Sequence, residues 1–269
     1  MVDLVDDYYL NLYLMSTIVL IPARSGSTRI KNKNTIDLGG IPLLAHSIIR
    51  AKESNATRVI VSTDSPDIAD IAKAYGAEVP FMRPPSLAAS DSTSLSVILH
   101  AISVLAEQGS KPTTIVFKPP TNPFLATSSI NTMMEKKKQN PSIKSVLSIY
   151  TPRTSPLSFV SFDPRDSFVT TEVYDIDGIR LFDIERSQDR PLAYASSPAC
   201  KVTDVDYFDR LYLSKSTSIQ DMANCAGPTY NPESCLGHII SPIEAHDIDN
   251  MEDLGYCRYI LSSGYIKFG

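Results

Sequence analysis

Pro22-Ala-Arg-Ser-Gly-Ser-Thr-Arg-Ile-Lys-Asn-Lys-Asn34 packs Arg24, Arg29, Lys31 and Lys33 into one short stretch with Gly26, Ser25 and Ser27. A triphosphate wants that combination: backbone N–H groups bared by small residues, hydroxyl donors, and guanidinium or ammonium groups that neutralise developing charge. The spacing matches neither G-x-x-x-x-G-K-[ST] nor G-x-G-x-x-G, which argues against a P-loop ATPase and a dinucleotide-binding dehydrogenase. The competing reading is a solvated basic loop. A second candidate is Asp247-Ile-Asp249. In a strand, residues two apart face the same side, so both carboxylates could address one Mg²⁺. Taken alone, D-x-D reads more readily as a pair of solvated carboxylates, and neighbouring His246 as a packing residue. Arg83, just before Pro84 and Pro85, reads by itself as a surface charge.

The elements that must position these groups alternate. Thr17 to Ile21 is a short apolar, β-branched run ended by Pro22, the pattern of a strand buried on both faces. A helix opens near Ile41-Pro42, with Leu43, Leu44, Ile48 and Ala51 at helical spacing. Arg58 to Ser62 is a second strand. Thr63 or Asp64 is placed to cap the helix that follows, with Ile68, Ile71, Ala72 and Tyr75 on one stripe and Gly76 as its stop. Helix Asp91 to Gln108, strand Thr113 to Lys118, helix Thr127 to Lys138 and strand Lys144 to Ile149 continue the pattern. It predicts an α/β fold: a mostly parallel sheet sandwiched by helices, with ligand at the strand carboxyl ends. Residues 150–194 break the alternation with prolines, charges and hairpin-like pieces such as Glu172 to Gly178, and read as an inserted arm on a single domain spanning 15–269. Residues 1–14 read as an N-terminal extension, neither signal nor anchor.

Composition narrows the partners. A net charge of -5 over 269 residues argues against nucleic acid or anionic membrane as a whole-surface partner. Any phosphate site is therefore local. Cys200, Cys225, Cys235 and Cys257 form no C-x-x-C pair and read as reduced thiols, which fits the cytoplasm.

Ile21-Pro-Ala-Arg-x-x-Ser-x-x-Ile-x-x-Lys-Asn34 resembles the amino-terminal motif of the CMP-sialic acid synthetases, or acylneuraminate cytidylyltransferases. Val61-Ser-Thr-Asp64, Tyr75 to Pro84, Leu87 to Asp91, Pro120-Thr-Asn-Pro-Phe124 and His246-Asp-Ile-Asp249 with Glu252-Asp-Leu254 are similar to later blocks of that family, in order. The resemblance covers about Ile18 to Leu254. It implies a Rossmann-like, glycosyltransferase-A-like nucleotidyltransferase fold whose protruding arm builds a homodimer. It implies CMP transfer from CTP to a nonulosonic sugar acid, in the service of cell-surface polysaccharide synthesis. Carried over by position, it assigns the nucleotide to Ala23, Arg24, Ser27, Arg29, Lys33, Asn34, Arg83 and Ser94. It assigns Mg²⁺ or Mn²⁺ to Asp247 and Asp249, and gives Arg24, Lys33 and Asp249 the catalytic work.

The sequence departs from that pattern mainly on the sugar side. Thr28 stands where many members have Lys, Pro119 replaces a Gln, Ser158 a Lys, and Ser197-Pro-Ala-Cys200 the Asn-Gly-Ala-Ile block. The sugar therefore stays open among neuraminate, its deaminated form, legionaminate and pseudaminate. Ser27-Thr-Arg-Ile30 also echoes the CMP-Kdo synthetases, and the lost Lys and Gln keep open an inactive nucleotide-binding homologue.

Overall fold

Strand β1 (Thr17–Pro22) is an interior strand, one in from an edge of the main sheet, and feeds two cores. Its alternate side chains part: Val19 and Ile21 enter one buried cluster, Ile18 and Leu20 the other. That two-sided burial is why the run carries no polar residue between Ile18 and Ile21. The computed structural model describes residues 16–154, 161–163, 168–170, 186, 189, 192–215, 218–225 and 227–266. The expected hairpin at 172–178, Ser158 and the N-terminal extension lie outside them.

Around β1 the chain lays down α1 (Leu43–Lys52), β4 (Arg58–Ser62), α2 (Pro66–Ala74), α3 (Ser94–Glu107), β5 (Thr114–Phe117), α4 (Thr127–Gln139) and β6 (Ser145–Tyr150). A small hairpin of β2 (Asp37–Leu38) and β3 (Ile41–Pro42) precedes α1. Strand β9 (Ala195–Asp204), the short helices α5 (Val205–Phe208) and α6 (Ile219–Ala223), β10 (Cys235–Ile239) and α7 (Met251–Ser262) complete the main body. The central sheet has the order β10-β6-β9-β5-β1-β4. Strand β1 pairs in parallel with β4 and β5, and β10 with β6, whereas β9 runs antiparallel between β5 and β6. Helices α1, α2 and α4 cover one face, and α3 with α5 the other. The sheet is thus sandwiched by helices, as the alternation predicts, and mixed, because β9 runs antiparallel between two parallel sets.

Within the arm, β7 (Ser161–Asp163) and β8 (Phe168–Thr170) form a separate antiparallel pair. Two local expectations change. Helix α2 is capped by Ser65, whose side chain accepts from the Ile68 N–H, and not by Thr63 or Asp64. The Asp247–Asp249 segment belongs to no strand: it is irregular chain between β10 and α7.

Candidate functional site

The cation-rich loop leaves the carboxyl end of β1 and is pinned at several points. Ala23 is buried and its N–H donates to Ser62 O at 2.9 Å. Ser25 grips Asp64 twice, by its N–H to Oδ1 at 2.9 Å and its hydroxyl to Oδ2 at 2.6 Å. Burial would raise the Asp64 carboxyl, but those two donations, its own N–H and the charge of Arg83 hold it below its ordinary value. Asn32 takes a left-handed conformation (φ 56°), which Asn tolerates better than most residues. The chain thereby turns so that Asn34, buried, donates its amide to Arg24 O at 2.8 Å.

A third apolar cluster brings the distant carboxylates to this loop. Ile30 and Ile248 are buried together with Leu38, Leu43, Phe124 and the α7 residues Leu254, Cys257 and Ile260. Burying Ile30 carries its neighbour Arg29 toward the neighbour of Ile248. Arg29 Nη1 lies 2.7 Å from Asp249 Oδ2, and Lys33 Nζ lies 3.5 Å from Asp249 Oδ1 and donates to Ile248 O at 2.8 Å. Asp249 is also fixed through its N–H, which donates to Asp253 Oδ2 at 2.8 Å at the start of α7.

These groups surround a cleft of about 280 Å³. Arg24, Ser27, Thr28, Arg29, Lys33 and Asn34 line it from the loop, with Arg83, Ser94, Pro119 to Thr121 and Asp249 facing them. Of its charged lining residues, Arg24, Arg29, Lys33 and Arg83 are cations and Asp249 is the carboxylate. The cleft is therefore strongly positive in a chain of net charge -5. That is a field built for a polyanion. Ala23 and Asp247 stand behind the lining, and the Ala23 N–H, already bonded to Ser62, is not free for a phosphate.

Arg83 is not the surface charge its flanking prolines suggest. It is 4% exposed, donates Nε to Ser62 Oγ at 3.1 Å and Nη2 to Ser62 O. Burial pulls it down to about 10, against the attraction of Asp64 and with the repulsion of Arg24. It is still a cation at neutral pH. Ser94 opens α3, whose cap is Thr93, the side chain of which accepts from Ser96 N.

Asp247 Oδ1 is buried with no hydrogen-bond partner, and burial first, then the nearby Asp249 charge, raise its carboxyl, with the Thr121 side chain and the Lys33 charge pulling the other way. A cation relieves both conditions. Among the described residues no cluster of three or more His, Cys, Asp or Glu side chains gathers elsewhere or here. Two carboxylates with the remaining ligands from phosphate and water is the usual manner of Mg²⁺. The residues fit the ion.

Several site residues escaped the sequence reading. The sequence offers Asp64 as a helix cap, although its place in the Val61 to Asp64 block beside β1 is a signal for the site. Lys118, at the end of an apolar strand, is fully buried, and burial lowers it to about 7, against a partial counter-pull from Cys200. It gave no signal beyond its oddity. Thr121 and Asn122 lie in the Pro120 to Phe124 block, where neither residue type by itself points to a task.

A mixed α/β sheet with a cationic loop at its carboxyl edge, joined by two carboxylates from a remote segment, defines a nucleotide-handling protein of neither the P-loop nor the dehydrogenase kind. The profile of the cytidylyltransferase family matches residues 18–171. That is more than half of the chain, and the chain belongs to this family. It is 34% identical over 161 residues to the CMP-N,N'-diacetyllegionaminic acid synthase of Legionella pneumophila, covering 60% of this chain and 68% of that one. It is 40% identical over 95 residues to a pseudaminic acid cytidylyltransferase of Campylobacter jejuni, covering 35% of this chain and 41% of that one. Against the N-acylneuraminate cytidylyltransferase of Escherichia coli O18:K1:H7 it is 34% identical over 161 residues, covering 60% of this chain but 36% of that one. The chain thus spans well under half the length of the last two. A solved CMP:2-keto-3-deoxy-manno-octonic acid synthetase complexed with CTP shares the fold, with a TM-score of 0.64 at 13% identity over 93% of this chain and 99% of that one. Among the described residues, no helix is long and apolar enough to cross a membrane.

Proposed function

We propose that this chain transfers CMP from CTP to the anomeric hydroxyl of a nonulosonic, sialic-acid-like sugar acid and releases pyrophosphate. The observation that carries the reading is the convergence of Arg24, Arg29, Lys33 and Arg83 on one cleft with Asp249, in a chain three of whose relatives are named for legionaminic, pseudaminic and N-acylneuraminic acids. The sugar hydroxyl oxygen bonds to the α-phosphorus as the bond from that phosphorus to the α–β bridging oxygen breaks, and the hydroxyl proton passes to solvent. Arg24 and Lys33 stabilise the departing pyrophosphate charge, and Arg29, Ser27 and Asn34 orient the phosphates and ribose; Ser94 and Arg83 face them from the opposite wall. The chain's contribution is positioning and charge stabilisation. Asp247 and Asp249 would hold Mg²⁺ or Mn²⁺, which supplies Lewis-acid neutralisation of the phosphate oxygens. For Asp249 to do so, Arg29 and Lys33 exchange its carboxylate for phosphate oxygens. The acting form is a cytoplasmic homodimer built through the 150–194 arm, which light scattering checks as a dimer mass at working concentration.

The deciding experiment measures pyrophosphate release with Mg²⁺ and each of the four nucleoside triphosphates against a panel of neuraminate, deaminated neuraminate, legionaminate, pseudaminate and Kdo. Turnover with CTP and a nine-carbon acid is expected. Turnover with Kdo alone would move the chain to an eight-carbon acid, and CTP binding without turnover on any acid would make it an inactive homologue.

A further inference from the structure

Lys118 is 0% exposed, at the end of β5, and its Nζ donates to Ser47 Oγ at 2.7 Å on α1 and to Asn122 O at 3.3 Å. Neither partner is charged. Burying an amine is costly, and a Met or Leu of similar length would fill such a space at no desolvation cost. What the amine adds is geometry. It ties the Pro119 to Pro123 turn to α1 by holding the carbonyl of Asn122.

Asn122 is itself 0% exposed, and its Nδ2 donates to Ala245 O at 3.1 Å and His246 O at 3.0 Å. Two carbonyl acceptors fix which end of the amide faces the segment. Next to it, Thr121 O accepts from the Ile248 N–H at 2.9 Å. The turn therefore holds both flanks of Asp247 and the residue between the two carboxylates. Because 245–249 belongs to no strand, no ladder of sheet hydrogen bonds holds it, and these ties do that work.

Resting on the function proposed above, we infer that Lys118 and Asn122 are positioning residues that act in series, Lys118 holding the turn and Asn122 holding the Asp247–Asp249 segment in the arrangement that receives a divalent ion. Neither touches substrate or ion.

The test is Mn²⁺ binding to the full chain with CTP and no sugar acid, read from the loss of the free-ion electron paramagnetic resonance signal, for wild type, Lys118→Met, Asn122→Ala and the double variant. Partners that orient metal ligands are commonly worth about 10- to 100-fold in metal affinity. Each single variant is expected to weaken Mn²⁺ binding about tenfold or more, while metal-free CTP binding stays within about threefold. Acting in series, the double variant should be no weaker than the weaker single one; a full additive loss would overturn the serial arrangement. Ser47→Ala, which releases the amine without emptying its space, should weaken Mn²⁺ in the same direction and keeps the test open should Lys118→Met fail to fold. Unchanged Mn²⁺ affinity in the folded variants, or no Mn²⁺ bound by wild type, overturns the inference. Wild-type turnover is measured separately, so a failure of the cytidylyl-transfer reading is recognised on its own.

Discussion

Asp249 stands between two demands, since the cations that hold it, Arg29 at 2.7 Å and Lys33 at 3.5 Å, are the ones a triphosphate would attract. Its side chain is 48% exposed, so removing it should leave the fold nearly as stable, within about 0.5 kcal/mol. Asp249→Ala is expected to abolish Mg²⁺-dependent turnover while the melting curve scarcely moves; retained activity would reject the metal assignment. Arg24→Ala should lower kcat/KM by at least ~2 kcal/mol, the scale of losing one charge-stabilising donor. Lys118 gives a prediction that needs no substrate. Its folded-state value is depressed to about 7 from 10.5, so between those limits the unfolded chain holds a proton that the folded chain lacks. Stability from this group therefore rises with pH from about 7 to about 10.5. In urea melts from pH 6 to 10, the stability of wild type minus that of Lys118→Met should climb over that window, and a flat difference would contradict the depressed value. At this scale the sequence displays most cleft residues because cations crowd one loop, whereas the task of Asp64 is only hinted at by its block and that of Lys118 not at all. Their roles come from partners 39 and 71 residues away, Ser25 and Ser47.

Between residue and fold, the elements that aim the site are anchored by caps and by burial. Helix α7 begins with a capping box: Asn250 accepts from the N–H groups of Glu252 and Asp253, and Asp253 returns a bond to the Asn250 N–H. The same Asp253 oxygen accepts from Asp249 N–H, so the cap also steadies a site residue. Asn250→Ala should cost about 1 kcal/mol of stability, seen as a lower denaturation midpoint with an unchanged slope. The strands that periodicity displayed, β1, β4, β5 and β6, are apolar runs buried between two layers of helices. Strand β9 was invisible because Ser196, Ser197, Pro198 and Lys201 interrupt any apolar run, and its register slips between Leu147 and Ile149, where Ser148 Oγ accepts from the Cys200 N–H at 3.1 Å. Strand β10, with Gly237 at its centre, carries as little propensity. Antiparallel insertion of β9 is a tertiary choice that no local pattern encodes. The Asp247–Asp249 pair shows the same limit from the other side: Ile248 between them is buried, but the strand whose alternation would put both carboxylates on one side is absent, and only Asp249 lines the cleft.

For the whole molecule, the net charge of -5 and the cationic cleft oppose each other, and that opposition makes nucleotide binding measurable through stability. A ligand that binds only the folded chain stabilises it by RT ln(1 + [L]/Kd), about 2.7 kcal/mol at a hundredfold excess over Kd. For a chain of this size that is a rise in Tm of roughly 5–10 °C. CTP with Mg²⁺ should give this rise, and ATP and GTP much less if the walls around Ser94 and Arg83 select the base as well as the phosphates. Because the exposed cations Arg29 and Lys31 act through screened charge, the rise should shrink as salt is raised from 0.05 to 0.5 M, whereas the contribution of buried Arg83 should persist. Equal shifts from all four triphosphates would mean that the cleft reads phosphate alone, and no shift from any of them would remove the cleft from the reaction. A shift confined to CTP, followed by turnover with one sugar acid, places the nucleotide and the acceptor by independent measurements.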